Sequence, residues 1–365
     1  MANADRFSVS TMLDSLQDLR LAAATEPRNQ AVAPPPRGTP IAIPPPQSNQ
    51  LREANTCGCP WGFCAALTPQ ELEIRLQRMF NLMTNSEEDD DASPFKEMIS
   101  RLEKRELQGI ASLLTSDSDY FLEIARNKNG SKRLQKLLGK SNDVDSFFAA
   151  AILTRFLHVM TDRQASYVAI RGLGVFDEER KEAMYEYTLH HALHLARDRY
   201  GCITLNKIIT DLNHPFYRSQ LLDTVAHNAL LLSNDATGNF VVQHVLKLND
   251  LRCTRNIAVN LCGHCVDLSF KKYGSYIVEK LLDANESVAV VVMELLECDG
   301  GKLMRLARSE YGNFVVAKAL RVTQIGMTRA HLFQGLVQKL MPFLCFFQRS
   351  RGSNIAAILE SVHMI

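Results

Sequence analysis

The sequence lacks any apolar run long enough to span a membrane, and its first thirty residues hold no apolar block of the kind a secretory signal requires. It is therefore read as intracellular, with no membrane partner. Its nine cysteines (57, 59, 64, 202, 253, 262, 265, 298 and 345) are scattered rather than framed, which suits reduced thiols. Neither sign of charge dominates, since 41 Lys+Arg face 40 Asp+Glu. No nucleophile, base and orienting group recur together, so the chain is not read as an enzyme. Nothing calls for a cofactor or a metal. The glycine pair of RGLGVF (171–176) is without the phosphate-loop pattern and reads as a helix end. Cys57, Cys59 and Cys64 have no fourth ligand nearby, and His190, His191 and His194 have no acid or cysteine in register. Cys262-Gly-His-Cys265 has dithiol spacing, but a redox site wants strand, turn and helix. This tetrapeptide is expected inside the first helix of a helical unit.

What is present is unevenly spread. Residues 1–94 carry 7 basic against 12 acidic side chains, while residues 95–365 carry 34 against 28. The first part includes PPP at 34–36, IAIPPPQSNQ at 41–50 and CGCP at 57–60, and proline at that density removes helix and ladder hydrogen bonds. Residues 1–94 are thus expected to be a disordered tail with one amphipathic helix, LEIRLQRMFNLM (72–83), after the start signal Thr68-Pro-Gln-Glu71 and before EEDDD (87–91). That helix could dock on a partner or rest on the edge of the folded domain.

From residue 95 onward the chain repeats itself. TGNFVVQHVL (237–246) and YGNFVVAKAL (311–320) are two of seven copies, each placed by a small residue: Gly130, Ala165, Gly201, Gly238, Gly274, Gly312 and Gly352. A period of 35 to 40 residues between these markers is the mark of a solenoid. Three, four, seven and eight positions past the marker the residues are mostly apolar, as in Val241, Val242, Val245 and Leu246, which describes one helical face turned into a core. Six positions before it stands a large apolar residue (Ile124, Val159, Leu195, Leu232, Leu268, Leu306, Phe346) that ends a preceding helix. Each unit then reads as helix, short polar link, helix, with PFKEMISRLEKRELQGIASLL (94–114) as lead-in. Stacking would bury a spine that one unit alone could not.

Positions one, two and five past the marker face away from that stripe. A surface with only a structural role would carry interchangeable Lys and Glu there. Instead the fourth unit has Asn239, Phe240 and Gln243, the fifth Ser275, Tyr276 and Glu279, and the sixth Asn313, Phe314 and Ala317. An exposed aromatic between two short hydrogen-bonding side chains, once per unit, can stack on a nucleobase and read its edge.

GNFVVQ, YGSYIVEK, YGNFVVAK and RYGCITLNK resemble the Pumilio (PUF) repeat, whose usual form is YGNYVIQ, and the resemblance covers about residues 95–365. It implies an all-α fold, a right-handed curved α-solenoid, in a divergent, plant-type member with fewer than eight clear units. Single-stranded RNA would lie antiparallel on the concave face. The resemblance further implies that Asn with Gln reads uracil, Ser with Glu reads guanine, and Ser or Cys with Gln reads adenine. On that basis the sixth unit is a uracil reader lacking its second contact, the fifth reads guanine and the fourth uracil, which together spell UGU. The third (Cys202, Ile203, Asn206) resembles an adenine reader, the second (Ser166, Tyr167, Ile170) keeps a stacker, and the first (Ser131, Lys132, Gln135) again fits adenine. The seventh (Ser353, Asn354, Ala357) resembles a cap.

The rival reading is an armadillo- or HEAT-like protein-binding scaffold of similar period. The recurring trio separates the two, because protein-binding arrays do not repeat it. What the resemblance implies of function is a cytoplasmic monomer that binds UGU elements in the 3′ untranslated regions of mRNAs. It would recruit repressor or deadenylase proteins and so set translation and mRNA stability.

Overall fold

The computed structural model describes residues 69–85, 94–325, 329–348 and 351–363. The proline-rich stretches, the Cys57, Cys59 and Cys64 cluster and EEDDD (87–91) lie outside them. Among the described residues there are helices and no strand, and the chain from Ala66 onward forms one compact unit.

Two helices lead in, α1 (Pro69–Thr84) and α2 (Pro94–Arg101). Seven units follow, and each holds three helices rather than the expected two. Unit one is α3 (Lys104–Leu114), α4 (Ser118–Arg126) and α5 (Lys128–Leu137); unit two is α6 (Asn142–Thr154), α7 (Phe156–Met160) and α8 (Ala165–Val175). Unit three is α9 (Glu178–His190), α10 (Ala192–Arg197) and α11 (Gly201–Asp211); unit four is α12 (Pro215–His227), α13 (Ala229–Ser233) and α14 (Gly238–Lys247). Unit five is α15 (Leu251–Leu261), α16 (Cys265–Ser269) and α17 (Lys272–Leu281). Unit six is α18 (Asn285–Glu297), α19 (Gly300–Arg308) and α20 (Gly312–Gln324); unit seven is α21 (Ala330–Leu340), α22 (Leu344–Phe347) and α23 (Ser353–His363).

The first helices of successive units pack on one another as one row, and the third helices as a second row. The short second helix joins them and carries near its end the apolar residue six before the marker. Ile124, Leu195 and Leu232 there are fully buried. In unit seven this place belongs to Phe347, not to Phe346 as the spacing suggested: Phe347 is buried and Phe346 is half exposed beneath the Arg308 guanidinium. The link from this residue to the marker is one residue shorter in unit seven than in the other units.

The marker is small because the start of the third helix crosses the end of the second. A Cβ on Gly274 would stand 2.6 Å from the Leu268 carbonyl oxygen, too close for any side chain. Three residues before the marker a side chain caps the third helix. Asn127, Asp162, Asp198 and Asp235 each accept from two backbone N–H groups, and Ser309 accepts from one. The same position ties the units together. Arg126 pairs with Asp162 at 3.7 Å and Arg197 with Asp235 at 2.9 Å, and where Lys271 replaces the acid it donates back to Asn234 Oδ1 at 2.8 Å.

The amphipathic helix expected over 72–83 is present as α1 and packs on unit one. Met79 and Met83 are buried, the Tyr120 hydroxyl donates to the Leu76 carbonyl at 2.8 Å, and Arg133 donates to the Leu82 carbonyl at 2.7 Å while lying over the Phe95 ring. Burial pushes the Tyr120 hydroxyl up to about 12. Of the lead-in segment 94–114, α3 is the first helix of unit one, packed on α6.

Candidate nucleic-acid interface

The third helix of each unit presents the trio, and its three positions differ in exposure. Two past the marker the side chains stand clear of the protein: Tyr167, Ile203, Phe240, Tyr276 and Phe314 are all about half exposed or more, and Lys132 is exposed in unit one. In units two to six this makes a row of apolar groups, four of them aromatic, on one side of the third-helix layer. A protein that folds alone buries most of its aromatic rings, so a row left exposed at regular spacing is set apart from scattered surface apolar residues.

One past the marker the side chains are buried, contrary to the reading of an open face. Ser131, Ser166, Cys202, Asn239, Ser275 and Asn313 sit in the seam between neighbouring third helices. Ser131 shows how, since its hydroxyl donates to the Gln164 carbonyl of the next unit at 2.7 Å. Ser353 of unit seven is exposed. Residues at this position must therefore be short to fit the seam. Each is oriented by the fold: Asn239 Nδ2 donates to the Asp235 and Ala236 carbonyls, Asn313 Nδ2 to those of Ser309 and Glu310, and the Ser275 hydroxyl to that of Lys272.

Five past the marker, Gln135, Ile170, Asn206, Gln243 and Glu279 are half buried. Gln243 Nε2 donates to Asn239 Oδ1 at 2.9 Å and Gln135 Nε2 to Ser131 Oγ at 3.2 Å, so both pairs meet as the spacing required. Asn206 carries a buried Oδ1 with no hydrogen-bond partner. Burial lifts the Glu279 carboxyl above the usual range, with the charge of Lys318 working against it.

Ala317 is buried rather than on an exposed face, with 3% of its surface open. It forms the floor of a pocket of about 380 Å³ whose walls include Glu279, Phe314, Lys318, Arg321 and Asn354. Arg321 and Lys318 were missed in the sequence because the trio ends at position five. Spacing alone could have found Arg321, which lies one helical turn beyond Ala317. His244 was missed as well. It reaches across from unit four to unit three, its Nε2 2.9 Å from Thr210 Oγ1, and burial holds its ring toward the neutral form.

Among the described residues the other candidate chemistries do not assemble. Cys262 lies in the turn between α15 and α16, not inside a helix, while Gly263 turns through a φ of 84°. Cys265 is buried, its thiol pushed far up by that burial and donating to the Leu261 carbonyl, so it is no thiolate nucleophile. The His190 and His191 rings meet edge to face, and no group of metal-ligating side chains is found among the described residues. The Gly172 of RGLGVF lies against the Phe176 ring at the end of α8, as a helix end should.

The Pumilio-family RNA binding repeat matches residues 191–225, 228–256 and 264–296. Each match runs from the second helix of one unit into the first helix of the next. Pumilio homolog 18 of Arabidopsis thaliana is 57% identical over 365 residues, covering 100% of this chain and 99% of the relative. Putative pumilio homolog 20 of the same plant is 58% identical over 348 residues, covering 94% and 98%. Among solved structures, the Puf4 RNA binding domain bound to the HO endonuclease RNA 3′ UTR recognition sequence has a TM-score of 0.65 at 21% identity, covering 79% of this chain and 89% of that one. PUF-8 in complex with PBE-RNA has a TM-score of 0.59 at 18% identity, covering 82% and 87%. These two share the fold. Full-length identity to its plant relatives, a matching repeat model and three-helix units with the trio on the third helix agree, and the chain belongs to the Pumilio family.

Proposed function

We propose that the row of third helices binds single-stranded RNA one base per unit and selects UGU across units six, five and four. The observation that carries this is the row of exposed rings at one helix position, each beside a buried polar group that the fold has already oriented. In unit four, Asn239 Nδ2 is held by two backbone carbonyls, which turns Oδ1 outward as an acceptor, and Gln243 brings a donor beside it. Uracil presents an N–H flanked by carbonyl oxygens and fits that pair, while Phe240 stacks on its face. In unit five the Glu279 carboxylate accepts from the two N–H groups that guanine aligns on one edge. Adenine offers one amino group and a bare ring nitrogen there instead. Units three and one, through Cys202 with Asn206 and Ser131 with Gln135, are assigned to adenine.

The biological reading follows the same line. The protein acts as a monomer in the cytoplasm on 3′ untranslated regions of mRNAs, and lowers their translation or stability together with deadenylase or repressor proteins. The likeness to proteins solved with 3′ UTR sequences supports this.

Equilibrium titration of the protein with RNAs carrying UGU or UAU tests the specificity. UGU should bind tighter by about 1–3 kcal/mol, the usual cost of one mismatched base in a specific complex. Superimposable curves would remove the assignment of unit five.

A further inference from the structure

Unit six has the acceptor of a uracil reader and lacks the donor. Asn313 is held as Asn239 is, its Nδ2 donating to the Ser309 and Glu310 carbonyls at 2.9 and 3.0 Å, so Oδ1 is the atom left to face a base. Where Gln243 supplies a donor in unit four, Ala317 supplies none. The space is not filled by its neighbours. It is the pocket of about 380 Å³ described above, bounded on two sides by Phe314 and Asn354, the side chains two past the marker in units six and seven.

Two cations line that pocket, and they are differently placed. Lys318 is engaged, its Nζ 2.7 Å from Asp283 Oδ1. Arg321 is exposed and makes no hydrogen bond or ion pair among the described residues, and the Glu279 carboxyl on the opposite wall feels Lys318 and Lys280 rather than Arg321. Asn313, Ala317 and Arg321 follow one another at intervals of four along α20, so they share one stripe of the helix. An Arg side chain is long enough to cover the single turn between Arg321 and the space above Ala317.

We propose that Arg321 supplies the donor that Ala317 lacks, making it a specificity-determining residue for the base bound by unit six. This rests on the RNA-binding reading above. A guanidinium has five N–H donors and no acceptor. Paired with the Asn313 acceptor it satisfies an edge that offers a carbonyl oxygen next to an N–H, as uracil and guanine do. Cytosine and adenine set a bare ring nitrogen and an amino group against the wrong partners. Unit six is thus a reader of carbonyl-bearing bases with its donor moved one turn along the helix.

The test uses the full chain and four RNAs with U, G, C or A at the first position of NGU. The intact protein should prefer U and G over C and A. Arg321→Ala should reduce that preference about tenfold, the usual effect of losing one hydrogen bond to a charged group. Arg321→Lys, which keeps the charge and loses the fork, should retain affinity and lose part of the preference. Ala317→Gln placed in the Arg321→Ala protein should restore preference for U. A loss in Arg321→Ala that is equal for all four bases would assign the guanidinium to a phosphate and overturn the inference, as would no change. An intact protein indifferent to the first base would instead overturn the uracil reading of unit six itself, while the preference for UGU over UAU still reports on unit five. Thermal melting of each variant confirms that the helices persist, as expected for an exposed Arg321.

Discussion

Phe240 and Tyr276 are each about half exposed, while Val241 and Ile277 beside them are fully buried. Truncating either ring to alanine should therefore cost about 1–3 kcal/mol of RNA affinity, the range for one base stacked on an aromatic, and leave the melting transition in place. A lowered melting temperature together with the lost affinity would make these rings part of the core. Glu279 carries a second expectation. Its folded-state pKa is raised by burial, so as pH falls it takes up a proton earlier than an ordinary glutamate would. A carboxyl that must accept two N–H groups loses that ability on protonation. Preference for UGU over UAU should shrink as the pH is lowered from neutral toward about 5, and Glu279→Gln should abolish this pH dependence. The sign for the free protein is opposite: a folded state that binds the proton more tightly than the unfolded chain is stabilised as Glu279 protonates. The trio was legible in the sequence because the stackers and edge readers keep fixed places after the marker. The burial of Asn239 and Ser275 was not, because it depends on the neighbouring unit, and a periodicity counted along one helix has no term for what lies across the seam.

Among the elements, α1 shows the same limit. Its apolar spacing was visible, and what it packs against was not, since the contacts run from Leu76 to Tyr120 and from Leu82 to Arg133. Helix α1 packs on unit one, burying Met79 and Met83 and giving Arg133 a carbonyl partner. A chain beginning at residue 95 should thus be less stable than one beginning at 66. Fully burying one methionine is worth about 1.5–3 kcal/mol, so Met79 and Met83 together place the loss at about 3–6 kcal/mol, as an upper range. Urea unfolding followed by far-ultraviolet circular dichroism measures it, and equal midpoints would mean that α1 merely rests on the array. That the expected first helix of each unit is in fact two helices escaped the sequence reading for a related reason. Helices such as α6 (NDVDSFFAAAILT) and α18 (NESVAVVVMELLE) lie between two neighbours in their own row and against the third helices, so apolar residues spread around the cylinder and the one-sided pattern fades.

For the molecule as a whole, the repeat was the most legible feature, because seven glycine or alanine markers answer one steric demand, the close crossing of the second and third helices. The ties between units are equally regular and equally short. Arg197 to Asp235 and Lys302 to Asp267 each cross a single boundary. A stack joined only through adjacent units has no strong reason to come apart all at once. It can fray from an end, or part at its weakest seam while the rest stays folded. An RNA strand laid along the third helices would touch units that never touch each other, and every base it engages lowers the free energy of the fully stacked state alone. The nucleic acid would then act as a splint: a protein that unzips unit by unit when empty would melt as one cooperative body when occupied.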